Sequence, residues 1–398
     1  MMNPGPIPPR PRAPRLGRSD RSPLGLWFWE IDRVLLLFVI VLISIGLIAV
    51  AAASPASAHR YSDISFQMAP LHYFWRQLLW VGVGLSVMIG VSMLPQQTAR
   101  RFGLMAAGVF FLALALVPLF GVEANGARRW LGLGFAQFQP SEFLKPFYAV
   151  ALAWLLSLKA QDESLPVVML SGLMMGVVAA LLMMQPDFGQ SIIFASMWVA
   201  MVMVAGLSWR IVGMLAGGGA VAVVSAYIYY PVATQRINNF LFKNGDTYQT
   251  DSAHATLTAG GLLGTGPGGG EMKFRLPEAH TDYIFSVIGE EFGLLACLGI
   301  AGIFFAMAAR VCVKLLDEDD PFLILAATGL ITQITAQAMV NMAVNTGIAP
   351  SKGMTLPFIS YGGSSFVALC LGFGLLLAFT RKNPYLTRSP YVVKWSGQ

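Results

Sequence analysis

The feature that most constrains this chain is its series of long stretches without a single Asp, Glu, Lys, Arg or His. They run over 34–58, 77–99, 102–122, 164–186, 188–209 and 211–235. Each exceeds the roughly 20 residues that cross a bilayer as a helix. Two further apolar stretches cover 321–351 and 353–380, and a ninth, 283–309, is interrupted only by Glu290 and Glu291. With 56% hydrophobic and 12% charged residues, and a mean hydropathy of +0.64, most of the surface cannot be solvated by water. The expected fold is an all-α integral membrane protein.

A tenth span, 146–158, lies between Lys145 and Lys159 and crosses only if both lysines snorkel toward the headgroups. The placement of cations decides in its favour, because cytoplasmic flanks carry the excess of Lys and Arg. With ten spans and the N-terminus inside, 16 of the 26 Lys and Arg residues fall inside and 10 outside; without the tenth span the split is 13 to 13. Ten helices with both termini cytoplasmic is the expectation. It divides the chain into a Pro/Arg-rich arm (1–25), expected to be disordered near anionic headgroups, a membrane domain (26–382) and a cytoplasmic tail (383–398). Within the membrane domain a long extracytoplasmic loop, 231–281, joins the seventh and eighth helices and reads as a structured cap.

The pI of 9.3 needs no nucleic acid, since the basic residues gather at helix ends and in the arm. Cys297, Cys312 and Cys370 lie in or beside apolar segments and suggest neither a disulfide framework nor a metal site. The apolar run before "AAASPASA" is too long for a signal-peptide core, so that end reads as the helix reaching the far interface.

Chemistry-bearing residues concentrate on the predicted outer face. In "LPEAHTDYIF" (276–285), Pro277 and Thr281 or Asp282 suit a helix start, but a cap needs only one such residue. Glu278, His280 and Asp282 together, at a low-dielectric boundary, give a carboxylate whose pKa desolvation raises, as a general base requires. In "NGARRWL", Arg128, Arg129 and Trp130 either anchor a span at the headgroups or bind a phosphorylated lipid through the forked guanidinium donors. Glu142, Lys145 and Asp187 fall on the same side, as stops at the interface or as the lining of a shared polar cavity. Glu290 and Glu291 lie about 12 Å along the helix from Asp282, and at most one can share its face. The run "GGLLGTGPGGG" contains G-x-G-x-x-G but no βαβ context, so a flexible turn fits better than a pyrophosphate nest.

"QPSEFLKPF", "QPDFGQS", "LPEAHTDYIFSVIGEE" and "NTGIAPSKGMTLPFISYGGSS" resemble the signature segments of the SEDS proteins (shape, elongation, division and sporulation). The likeness covers about residues 30–382, and "SKGMTLPFISYGGSS" is closer to the FtsW-like division branch than to the RodA-like elongation branch. The resemblance implies ten transmembrane helices and a glycosyltransferase that polymerises lipid II for the cell wall during division. It implies a class B penicillin-binding protein, an FtsI-like transpeptidase, as partner among other divisome membrane proteins, and the septal inner membrane as location. On motif position the essential Asp falls on Asp282, while Arg128, Arg129, Trp130, Glu142, Lys145, Asp187, His280, Lys352, Ser360 and Ser364 fall in substrate-binding segments.

The implied reaction needs one base, because pyrophosphate leaves as a stabilised anion whereas a glycosidase must protonate an alcohol. Cations for the leaving group come from Arg128, Arg129, Lys145, Lys352 or a divalent ion such as Mg or Mn, with no cofactor certain and no metal ligand assigned. The rival expectation is a lipid II flippase, in which Asp282 only lines the route.

Overall fold

The computed structural model describes residues 22–62, 67–124, 127–133, 136–206, 248–351 and 353–381, with scattered residues between 213 and 242. The arm before residue 22, most of the expected span 211–235, the first part of the loop 231–281, Lys352 and the tail 383–398 lie outside the described residues. Along the described chain run α1 (Pro23–Glu30), α2 (Arg33–Tyr61), α3 (His72–Ser92), α4 (Gln96–Phe120), α5 (Pro140–Ser157), α6 (Val167–Met184), α7 (Phe188–Val204), α8 (Tyr248–Ala259), α9 (Ile284–Leu315), α10 (Pro321–Asn345) and α11 (Gly363–Phe379). Seven of these, α2 to α6, α9 and α10, are long and apolar enough to cross a membrane, and α7 and α11 are shorter apolar helices.

The helix starts follow local chemistry. Asp32 caps α2 by accepting the amides of Val34 (2.9 Å) and Leu35 (3.2 Å), and Asp320 caps α10 at Phe322 (2.8 Å) with Pro321 in the first turn. The expected stretch 353–380 becomes helical only at Gly363, because 353–362 forms a loop over the site described below. Large apolar side chains such as Leu119, Met169 and Phe305 face outward, as a lipid-facing surface requires.

The all-helical expectation is corrected at 122–138. There a small antiparallel meander forms from β1 (Val122–Ala124), β2 (Ala127–Leu133) and β3 (Ala136–Phe138), with Glu123 paired to Arg128 and Leu131 to Phe138. The segment leaves α4 at Gly121 and must satisfy its own backbone before α5 begins, which a short ladder does.

Two helices form the centre of the bundle. Their apolar windows are 61% buried in α5 and α10, against 39% or less in the other five spanning candidates. α5 packs on α4, α10 and α11, while α10 also meets α7 and α9. Lys145 therefore does not snorkel. It lies inside α5 with 0% side-chain exposure, where ion pairing rather than the headgroup region receives its charge.

α9 is two helices in one. Gly293 adopts φ 80° and ψ 178° and breaks it nine residues after its start. The glycine run seals that break. The amides of Thr265 and Gly266 donate to the carbonyls of Glu290 (2.9 Å) and Glu291 (3.0 Å), and Leu294 donates back to Gly261 (2.9 Å). A Cβ on Gly260 or Gly264 would overlap the α9 backbone. These glycines are a docking surface against their own chain rather than a flexible turn or a phosphate cradle.

Candidate active site

The segment ahead of α9 is braced from several sides, and one of its carboxyls has no partner among the described residues. Glu278 sits at φ +51°, unusual for a non-glycine residue, and its carbonyl accepts the amides of Thr281 (3.1 Å) and Tyr283 (3.3 Å). Its carboxylate accepts the hydroxyls of Tyr61 (2.6 Å) and Thr281 (2.7 Å). Ser360 donates to the Thr281 carbonyl (2.7 Å) and accepts the Leu356 amide (2.7 Å), tying the loop before α11 to the same turn.

His280 is buried. Its Nδ1 shares a hydrogen bond with Ser57 (2.8 Å), and its ring lies 4.0 Å from Tyr73 and 5.3 Å from Tyr361 between centroids. Burial lowers its pKa to about 4 despite the opposing charge of Glu278, so the ring is neutral at pH 7. In the structure His280 and Ser360 are buried and brace this turn through Ser57, Thr281 and Leu356.

Asp282 is held by its backbone alone. Its carbonyl accepts Asn341 Nδ2 (2.8 Å) and Asn345 Nδ2 (3.1 Å), whereas no described residue forms a hydrogen bond or ion pair with its carboxyl. A Cβ on Gly353 would lie 3.1 Å from Asp282 Oδ2, so this glycine lets the facing loop close on the carboxyl. Burial, with the charges of Glu278 and Glu142 added, raises the Asp282 pKa to about 7, although the group keeps partial exposure to solvent.

A second polar group stands within electrostatic reach on α5 and α7. Lys145 Nζ lies 2.8 Å from Glu142 Oε2, at an angle short of a good hydrogen bond, and donates to Gln337 Oε1 (2.7 Å). Glu142 also accepts a short hydrogen bond from Gln190, while Ser141 Oγ and Gln190 Oε1 are buried without partners among the described residues. Asp187 caps α7 and accepts Gln139 Nε2 (2.9 Å). Burial holds its pKa above the usual value against the pull of Arg129.

The expected cations are unequally available. Arg129 donates to the carbonyls of Gln185 (3.1 Å) and Pro186 (2.6 Å), so it fixes the turn that carries Asp187. Arg128 is 56% exposed, with Glu123 at 3.6 Å across the meander, and Trp130 follows it on the same strand. Ser364 is partly exposed in the first turn of α11, and Lys352 lies outside the described residues. Among the described residues no three acidic, imidazole or thiol ligands converge, so the side chains present do not themselves build a divalent-metal cage.

Glu290 and Glu291 serve the glycine-run dock. Glu290 accepts the amides of Met272 (2.7 Å) and Lys273 (3.0 Å), and Glu291 pairs with Lys273 Nζ. Sequence reading passed over Gln337, Asn341 and Asn345, which touch Lys145 or Asp282. Their signal was present as buried amides at four-residue spacing in an otherwise apolar helix.

Residues 32–385 match the cell cycle protein family of FtsW, RodA and SpoVE. The chain belongs to this family. It is 39% identical to a probable peptidoglycan glycosyltransferase FtsW of Caulobacter vibrioides, over 92% of this chain and 93% of that one, and 37% identical to its namesake in Hydrogenovibrio crunogenus, over 88% and 91%. Among solved structures, a chain of a peptidoglycan synthase complex that coordinates polymerization and crosslinking superposes with a TM-score of 0.70 at 28% identity, covering 88% of this chain and 97% of that one. The rod shape determining protein RodA of Thermus thermophilus gives 0.64 at 28% identity, over 88% and 96%. The SEDS resemblance and its FtsW-like leaning agree with these relatives, and the chain is a helical, multi-pass membrane protein.

Proposed function

We propose that this protein is the peptidoglycan glycosyltransferase of a division complex and that Asp282 is its general base. The observation that carries the reading is the Asp282 carboxyl, unpartnered among the described residues, partly open, and raised to a pKa of about 7 beside a buried polar cluster. At neutral pH such a group is deprotonated in a large fraction of molecules yet basic enough to take a proton, which an ordinary carboxylate near 4 is not.

In the reaction the acceptor sugar of one lipid II loses its 4-hydroxyl proton to Asp282, and the freed oxygen attacks C1 of the donor MurNAc. The bond from C1 to the phosphate oxygen breaks, and undecaprenyl pyrophosphate leaves. Glu142 keeps Asp282 basic. Arg128, the most exposed described cation in the candidate set, is assigned to the phosphate oxygens on that exposure, with Lys352 assigned the same task from its motif.

The same reading places ten helices in the inner membrane at the septum, with the loop 231–281 outside, both termini in the cytoplasm and a class B penicillin-binding protein as partner. The nine described apolar helices, together with the stretch 211–235, support that count. The test is polymerisation of lipid II supplied in detergent to the purified protein and its transpeptidase. Glycan chains from wild type, absent from Asp282→Ala, support the reading; a flippase forms none in either case.

A further inference from the structure

Helix α10 carries Gln333, Gln337, Asn341 and Asn345, one amide on each successive turn, all at most 2% exposed. Three of them reach the site. Gln337 accepts from Lys145 Nζ and donates to the Thr355 carbonyl (3.0 Å). Asn341 Nδ2 donates both to the Asp282 carbonyl (2.8 Å) and to that of Met354 (2.6 Å), which spans the two loops facing each other across the carboxyl.

Asn345 works both ends of its amide. Its nitrogen donates to the Asp282 carbonyl (3.1 Å), and its oxygen accepts the backbone amide (3.1 Å) and hydroxyl (2.8 Å) of Ser286. α9 begins after Tyr283, whose side chain makes no capping bond, and the amide of Ser286 in the first turn is shared between the Tyr283 carbonyl (3.0 Å) and Asn345 Oδ1. Asn345 thus ties the first turn of α9 to α10 through both the amide and the hydroxyl of Ser286.

We propose that Asn341 and Asn345 are positioning residues for the reaction. They fix the main chain of Asp282 at the mouth of α9 so that its side chain needs no partner of its own. Amides suit the task because they donate and accept without adding charge next to the base. An aliphatic residue at either position would leave the Asp282 carbonyl with one donor instead of two, and a carboxylate would repel the neighbouring side chain. The groups that face Asp282 are Glu278 from its own loop and Glu142, with its partner Lys145, from α5; Lys352, beside Gly353, lies outside the described residues.

The inference rests on Asp282 being the base, and the experiment separates the two. The full-length protein with its transpeptidase polymerises lipid II in detergent, and kcat, KM and the pH profile are read for wild type, Asp282→Ala, Asn341→Ala and Asn345→Asp, each normalised to folded protein. Asn341→Ala is expected to lower kcat by about 10²-fold, as a misplacement of about 1 Å does, with KM little changed. Asn345→Asp keeps an acceptor for Ser286 but replaces a donor with a negative charge, so the acid limb of the profile moves to higher pH. If either variant keeps the wild-type kcat, or both lose activity only in proportion to folded protein with the acid limb unmoved, the positioning role is overturned. Should Asn345→Asp fail to fold, Asn341→Ala still decides, because it leaves the contacts of Asn345 with Ser286 in place. Polymerisation by Asp282→Ala would overturn the base assignment, whatever the asparagine variants do.

Discussion

Two aspartates each precede a long membrane helix, and the protein treats them oppositely. Asp32, ahead of α2, has both oxygens occupied. Oδ1 caps the helix, and Oδ2 meets Arg310 (3.0 Å) and Lys314 (2.9 Å) at the far end of α9. Burial pushes its pKa up, but the hydrogen bond and charge of Lys314, the Leu35 amide and Arg310 outweigh burial and hold it below the carboxylate range. Lys314 also donates to the Thr380 carbonyl (2.9 Å), and Arg381 pairs with Glu30 (3.2 Å), so this end ties α1, α2, α9 and α11 together. Asp282, ahead of α9, has its backbone clamped and its carboxyl without a cation among the described residues, and its pKa rises to about 7. Burial acts on both; the neighbours decide the sign. A satisfied buried charge holds helices together, and an unsatisfied one is available for proton transfer.

Breaking each side of this contrast should give different losses. Asp282→Asn keeps shape but cannot accept a proton, and polymerisation should fall by about 10²- to 10⁴-fold with an unchanged melting temperature in detergent. Asp32→Ala should do the reverse. Stability drops by about 3 kcal/mol, at the low end for a broken buried pair because Arg310 keeps 39% of its side-chain surface, while turnover per folded molecule is retained. Thermal unfolding followed by circular dichroism measures the first quantity and a polymerisation assay the second.

Gly293→Ala sharpens the comparison by disturbing the scaffold between the two sites. At φ 80° a side chain costs about 1–3 kcal/mol, and its Cβ would overlap the Leu262 carbonyl. The glycine run should lose its dock, detected as faster proteolysis near 260–270. The smallest effect is expected from Glu278→Gln, which keeps a polar partner for Tyr61 and Thr281 but removes a charge that raises the Asp282 pKa. The acid limb of the rate profile should move to lower pH, opposite to the shift expected from Asn345→Asp.

The helices were legible because a charge-free stretch of bilayer length has few alternatives: 34–58 becomes α2, and 188–209 becomes α7 over Phe188–Val204. Glu142, Lys145 and Asp187 were legible only as two alternatives, stops at the interface or the lining of a shared cavity; in the structure Glu142 stands within electrostatic reach of both Asp282 and Asp187. What sequence reading missed depends on partners distant along the chain. Lys145 looked like a snorkelling residue because nothing nearby announces Gln337, 192 positions away. The glycine run looked flexible because its docking partner is a helix break that only Gly293 signals. His280 looked ready for substrate because its aromatic neighbours Tyr73 and Tyr361 come from other elements.

If Asp282 is a base tuned to neutral pH, the rate of lipid II polymerisation must follow its titration. Wild type should show an acid limb with an apparent pKa of about 7, because the reactive base form is lost as pH falls through that value. A limb near the ordinary carboxylate value of about 4, or a substantial rate for Asp282→Asn at any pH, would contradict it.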